Sequence, residues 1–243
     1  MDQIGTKLDP AESAGGLRGC LLPLTWLLVT LVVVLVCVAF IFGVVVRPGE
    51  MGVRETTLRL PFGPKQGYSA SGLKPGFHWR IPIYSRIHFV PQVLQILDLD
   101  RESVGTKGAI GALEVQTTDG SSVDVDVSVL YRYCSERGPD HGGPAELLNV
   151  VGFEKDWLLH IQTVVTNELR KVLGRLSASE FYNPVRREKE VTEAQEEMNK
   201  RLKPAGIMVE GILLRRYTYA ATIDEAIFAK NLKDQEPQLR SAE

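Results

Sequence analysis

Leu21–Val46, reading LLPLTWLLVTLVVVLVCVAFIFGVVV, holds 26 residues without one formal charge, and Arg18 and Arg47 close it on either side. A bilayer's hydrocarbon core takes about 20 apolar residues as a helix, which satisfies its own backbone hydrogen bonds there. A removable signal peptide fits poorly, because its apolar region runs about 7–15 residues and ends in a small-x-small site. This run is longer and no such site follows it. Leu35 and Val36 precede Cys37 where a lipoprotein cleavage site wants a small residue, and Cys20 has no apolar run upstream. A buried helix of a soluble core is the weaker alternative, so the reading is an uncleaved transmembrane helix over 21–46. At about 1.5 Å per residue it would reach roughly 39 Å, more than the roughly 30 Å of hydrocarbon. Tilt, or Leu21–Leu24 around Pro23 lying among headgroups, absorbs the excess. With no GxxxG face and no internal charge it reads as an anchor rather than a pore or relay.

The rest of the chain can bury a core of its own. Of 28 basic and 30 acidic residues, 26 and 27 lie beyond residue 20. That balance gives no electrostatic footprint for nucleic acid. Three cysteines are too few and too scattered for a disulfide framework or a zinc site. Cys20 beside the span could accept an acyl chain, although an inert thiol is the default. Lys7 and Arg18 precede the span; Arg47, Arg54, Arg59 and Lys65 follow it. This mildly favours a cytoplasmic position for the large part, but long domains translocate largely regardless of such charges. The side is left open.

Residues 1–20 are polar with Gly and Pro and read as a disordered tail. Arg47-Pro48-Gly49 is a turn, and 51–60 alternates as a strand does. Leu73–Pro82 is a second Pro-Gly turn feeding an aromatic strand. Residues 86–99 continue as strand with a break at Pro91. Val123, Val125, Val127 and Val129 face one way and Asp124, Asp126 and Ser128 the other, predicting a hairpin with 113–118. GPDHGGP at 138–144 reads as a flexible loop. Trp157, Ile161, Val164, Val165, Glu168 and Val172 step by three and four, predicting an amphipathic helix over 153–173. Asn183 and Pro184 supply an N-cap and first position for a helix over 184–202, with Glu196–Lys200 and Glu197–Arg201 as expected pairs. Pro204–Gly206 ends it, 207–219 returns as strand, and the polar stretch 222–243 is helix-prone.

In this order, V-x-P-G-E-x-G-V at Val46–Val53, L-x-P-G-F-H-x-x-x-P at Leu73–Pro82, and T-x-D-G-x-x-V-x-V-x-V-x-V-x-Y-R at Thr117–Arg132 resemble the SPFH superfamily of stomatin, prohibitin, flotillin and bacterial HflK and HflC. The strand 207–219 and AIFAKNLKDQE at 226–236 also fit, so the resemblance covers about 47–236 and leans toward the prohibitin or HflC-like side. It implies an α+β fold: a transmembrane helix, then an SPFH domain of antiparallel sheet with packed helices in two subdomains (47–100, membrane-proximal, and 101–220), and the start of a C-terminal helix or coiled coil at 221–243. It implies a non-enzymatic scaffold without cofactor, self-assembling as a large homo- or hetero-oligomer that corrals membrane lipids. An FtsH-type membrane protease is an implied partner, and a single-pass place in a bacterial or mitochondrial inner membrane the implied location. Family members usually continue into a long coiled coil, and whether one follows residue 243 is left open.

Two residue sets carry the functional expectation. Phe77, Trp79, Ile81, Ile83 and Tyr84 are candidates for the headgroup level, where Trp and Tyr concentrate; core packing explains Phe77, Trp79 and Ile81 as well. Ile223, Ile227, Leu232 and Leu239 are the apolar positions of the last stretch and the oligomerisation candidates. The catalytic and metal readings are bland. Gly67-Tyr68-Ser69-Ala70-Ser71-Gly72 lacks the last glycine and the strand–turn–helix frame of a nucleophile elbow. His78, His88, His141 and His160 lack ligand spacing, and the pairs Asp98/Asp100 and Asp124/Asp126 read as solvated strand faces rather than calcium or acid–base sites. The competing function is a small-oligomer lipid-binding or membrane-protein accessory module that forms no cage; a membrane-anchored hydrolase is third.

Overall fold

The computed structural model describes residues 15–59, 65–101 and 111–219. Helix α1 runs Gly15–Phe42. It therefore begins within the stretch expected as a disordered tail and ends before the expected Val46. The last four residues of the apolar run form β1 (Gly43–Val46), antiparallel to β4 (Gly76–Trp79), with Gly43 opposite Trp79 and Val46 opposite Gly76. The reason is local. Three consecutive valines lose χ1 freedom in a helix and suit a strand. At Gly43 a Cβ would sit 2.3 Å from the Ala39 carbonyl oxygen and 2.4 Å from the Phe77 ring, so glycine alone fits the exit. The Arg80 N–H donates to the Phe42 carbonyl at 2.6 Å and satisfies one of the helix's last acceptors.

After a turn in which the Glu50 N–H reaches the Arg47 carbonyl and Gly49 takes φ +88°, β2 (Glu50–Thr56) lies between β3 (Gly67–Tyr68) and β5 (Ser85–Pro91). That left-handed backbone is why the motif needs glycine there. Pro91 ends β5. The following strand β6 (Gln95–Leu99), expected with the membrane-proximal part, pairs instead with β8 (Ser122–Tyr133) in a second sheet. β8 carries β9 (Ile207–Tyr219) along one edge and, end to end on the other, β6 and β7 (Leu113–Gln116). Val123, Val125, Val127 and Val129 are fully buried, as the alternation predicts.

Their face packs on two helices, α3 (Glu154–Leu173) and, after the short α4 (Ala178–Phe181), α5 (Pro184–Leu202). A further short turn, α2 (Pro144–Glu146), runs on into a wider-pitched Leu147–Val151. Asn183 caps α5 by accepting from the Val185 and Arg186 N–H groups, with Pro184 in the first position. Trp157, Ile161, Val165 and Val172 of α3 and Ala194, Met198 and Leu202 of α5 are buried. Each large apolar side chain so placed contributes about 1.5–3 kcal/mol.

Two expectations change. The Glu196–Lys200 and Glu197–Arg201 pairs give way to Lys200 with Glu197, one turn back, and Arg201 with Glu168 of α3 at 2.9 Å. Glu168 is 1% exposed and also meets Lys171 at 3.4 Å, and a buried carboxylate draws cations more strongly than a solvated one. The 138–144 stretch is tied down rather than free. The Gly142 N–H donates to the Lys203 carbonyl at 2.8 Å, and Gly142, Gly143 and Pro144 are buried.

Candidate functional site

The junction between α1 and the first sheets has unusual surface chemistry. Val45 stands opposite Phe77, and Trp79 opposite Gly43, so Val45, Phe77 and Trp79 share one face of the β1–β4 ribbon. That face is open: Phe77 is 51% and Trp79 58% exposed, their rings edge-on with centroids 5.2 Å apart. Ile81 and Ile83 continue it, Ile83 at 80% exposure, and Phe40 and Ile41 of α1 are exposed as well. Tyr84 is half-buried, its N–H closing a turn onto the Ile81 carbonyl at 3.0 Å. Core packing is therefore not what Phe77, Trp79 and Ile81 do. Within α1, Thr25–Phe42 is long and apolar enough to cross a membrane, and none of it is buried in the protein.

Between the end of α1 and the neighbouring strands is a cleft of about 440 Å³, walled by Val38 and Phe42 from the helix and by Trp79, Ile81 and Tyr84 from β4 and the turn after it, with Arg54, Thr56, Arg80 and Ser85 at its polar side. Arg54 Nη2 donates to the Trp79 carbonyl at 2.9 Å. Sequence reasoning passed over Arg54 and Arg80. The sequence does alternate His78 and Arg80 with Phe77, Trp79 and Ile81, which separates two faces without showing which one is open.

Elsewhere the candidate polar residues are paired within the protein. Asp98 meets Ser128 and Arg215; Asp100 meets Arg215; Asp124 meets the Arg101 guanidinium; Asp126 meets Arg216 and the Arg101 N–H. These are arginine-paired faces, and Asp126 is buried rather than solvated. His88 Nε2 sits 2.8 Å from Glu55, His78 bonds the Lys74 carbonyl and His141 the Gly142 carbonyl. The Ser69 hydroxyl donates to the Ser71 carbonyl. Among the described residues no group of three or more His, Cys, Asp or Glu could hold a metal. Burial pushes the Cys134 thiol upward, and burial followed by the neighbouring Tyr131 does the same to Tyr133.

Asp119, in the β7–β8 turn, accepts from the Thr117 hydroxyl at 2.5 Å and, at 2.9 Å, from the Ala178 N–H at the start of α4. The Thr117 hydroxyl, then the Ala178 and Ser121 N–H groups, hold its carboxyl below the usual range. The T-x-D-G motif thus ties the hairpin to the helical layer.

Residues 44–243 match the family model described as SPFH domain / Band 7 family, most of the chain. The chain belongs to the SPFH domain / Band 7 family. No curated protein matches it. The SPFH match starts at the second residue of β1, so α1 precedes it. Of the two candidate residue sets, the membrane-interface residues cluster beside the end of α1, while Ile223, Ile227, Leu232 and Leu239 lie outside the described residues.

Proposed function

We propose that this SPFH protein is a single-pass membrane-anchored scaffold whose β1–β4 ribbon rests on the bilayer and whose copies assemble into a large ring or cage. One observation carries the reading: an apolar helix, unburied over Thr25–Phe42, runs without a linker into a ribbon whose exposed face, Val45, Phe77 and Trp79, is apolar too. A helix of this kind finds its apolar solvent in lipid, and an exposed Trp beside its end suits the headgroup zone. Self-assembly rests on family membership and on the apolar spacing of Ile223, Ile227, Leu232 and Leu239. Such an enclosure would organise a membrane microdomain and, on the prohibitin- or HflC-like reading, hold an FtsH-type protease or other client. The protein acts here by binding and excluding, not by catalysis. Electron microscopy of the complex after mild detergent extraction tests it. A megadalton-scale closed particle is expected. A discrete small particle would favour the accessory-module reading, all the more if liposome binding persists without residues 221–243.

A further inference from the structure

Four buried side-chain polar atoms among the described residues have no hydrogen-bond partner: Arg54 Nε, Arg80 Nε, Tyr84 Oη and Glu190 Oε2. Three of the four belong to residues that line one cleft at the end of α1, Arg54, Arg80 and Tyr84. Buried polar atoms are otherwise almost always partnered, so three orphans on the residues of one cleft mark a place where something is missing. What is missing accepts hydrogen bonds and carries negative charge. All three atoms donate when they act on an acceptor, two belong to guanidiniums, and no acidic residue lines the cleft. Arg101, Arg132, Arg137, Arg175, Arg201, Arg215 and Arg216 each pair with a carboxylate, and Arg170 and Arg187 bond backbone carbonyls. Arg54 and Arg80 pair with no described carboxylate, and among the described arginines these two keep a buried Nε without a partner.

We propose that this cleft binds the phosphate of an anionic phospholipid, with Arg54, Arg80 and Tyr84 on the phosphate oxygens and Val38, Phe42 and Ile81 against the glycerol and upper acyl carbons. The planar guanidinium fork matches phosphate geometry, and basic pockets beside membrane helices are suited to such headgroups. Arg54, already held by the Trp79 carbonyl, is preset in position. The apolar walls select a lipid over free phosphate. The absence of a lining carboxylate leaves nothing to receive the ammonium of a zwitterionic headgroup, which would instead meet two arginines. The site rests on the reading that α1 spans the membrane, which brings the cleft to headgroup level.

The test is native mass spectrometry of the full-length protein in mild detergent, with phosphatidylglycerol or phosphatidylcholine added. The unaltered protein should retain phosphatidylglycerol about tenfold or more over phosphatidylcholine, and R54Q/R80Q should erase the preference. If the double variant unfolds, R80Q alone decides, since the Arg80 side chain makes no hydrogen bond to a described residue, together with Tyr84→Phe, which removes only the hydroxyl. Both should lower the preference severalfold with the thermal midpoint unchanged. Equal retention of the two lipids, a preference that survives in folded variants, or displacement of the lipid by inorganic phosphate would each overturn the proposal. Carbonate extraction separates the two readings. A protein that stays in the membrane but shows no preference fails this inference alone, and one that washes off fails the anchor and the site together.

Discussion

Two of the sheets among the described residues treat their polar and apolar groups in opposite ways. In the β6–β9 sheet and its helices a continuous core is closed and the strand acids are matched: four valines of β8 are fully buried, and Asp98, Asp100, Asp124 and Asp126 all meet arginines, while exposed apolar side chains such as Ile96, Leu159, Val185 and Leu213 are spread over separate elements. Around β1 and β4, Phe77, Trp79, Ile81 and Ile83 stand open and two arginines lack acids. The first region closes its own core, with Glu190 Oε2 on α5 its one unpartnered buried side-chain polar atom among the described residues. The second has the composition of a surface that finishes folding against something else, and on the proposed function that something is lipid.

The largest break in this comparison comes from truncation. Leu169→Ala, in the closed region, should cost about 2–5 kcal/mol, whereas Ile83→Ala should stay within about 0.5 kcal/mol because that side chain packs on little protein. Thermal unfolding in detergent reads both, and comparable losses would mean that the open region is structural core. Next is Arg201→Met, which strips Glu168 of its nearer cation. About 1–3 kcal/mol is expected, below the 3–5 of a fully enclosed pair because the Arg201 side chain is 58% exposed. Asn183→Ala should cost about 1 kcal/mol by uncapping α5, and a loss near zero would place α5's stability in packing alone.

The smallest effect is a pH dependence. The Asp119 carboxyl is depressed in the folded state by Thr117, Ala178 and Ser121, so its contribution is fully present above the ordinary carboxylate value. It is lost as pH falls through the lower folded value. Asp119→Asn should therefore destabilise at neutral pH, with the gap to the parent narrowing only below about pH 4. A gap that narrows at higher pH would assign the dependence to another group.

Much of the closed region was legible in the residues. The alternation at 123–129, the three-and-four spacing from Trp157 to Val172 and the Asn-Pro start at 183 each depend on neighbours in sequence, and each forms as read. What failed to show depends on distant chain. The helix stops at Phe42 because Phe77 and β4 crowd Gly43, and Arg201 leaves its own helix because Glu168 is buried on another. Pro91 was visible as a break, but not that the chain changes sheet there. For the candidate site, the aromatic positions could be picked out while the period-2 pattern could not say which face was wet. Arg54 and Arg80 meet only in three dimensions.

Two exposed apolar residues decide the central claim. Ile83 is 80% exposed beside α1 and Val185 is 75% exposed on α5, so both look alike to water. Each is replaced by cysteine in full-length protein with Cys20 and Cys37 changed to serine; Cys134 is buried, which pushes its thiol upward and away from labelling. An environment-sensitive fluorophore is attached and the protein is reconstituted in vesicles containing spin-labelled lipid. The account predicts strong quenching by the lipid at Ile83→Cys and none at Val185→Cys. Equal quenching at the two positions, or none at either, would contradict it.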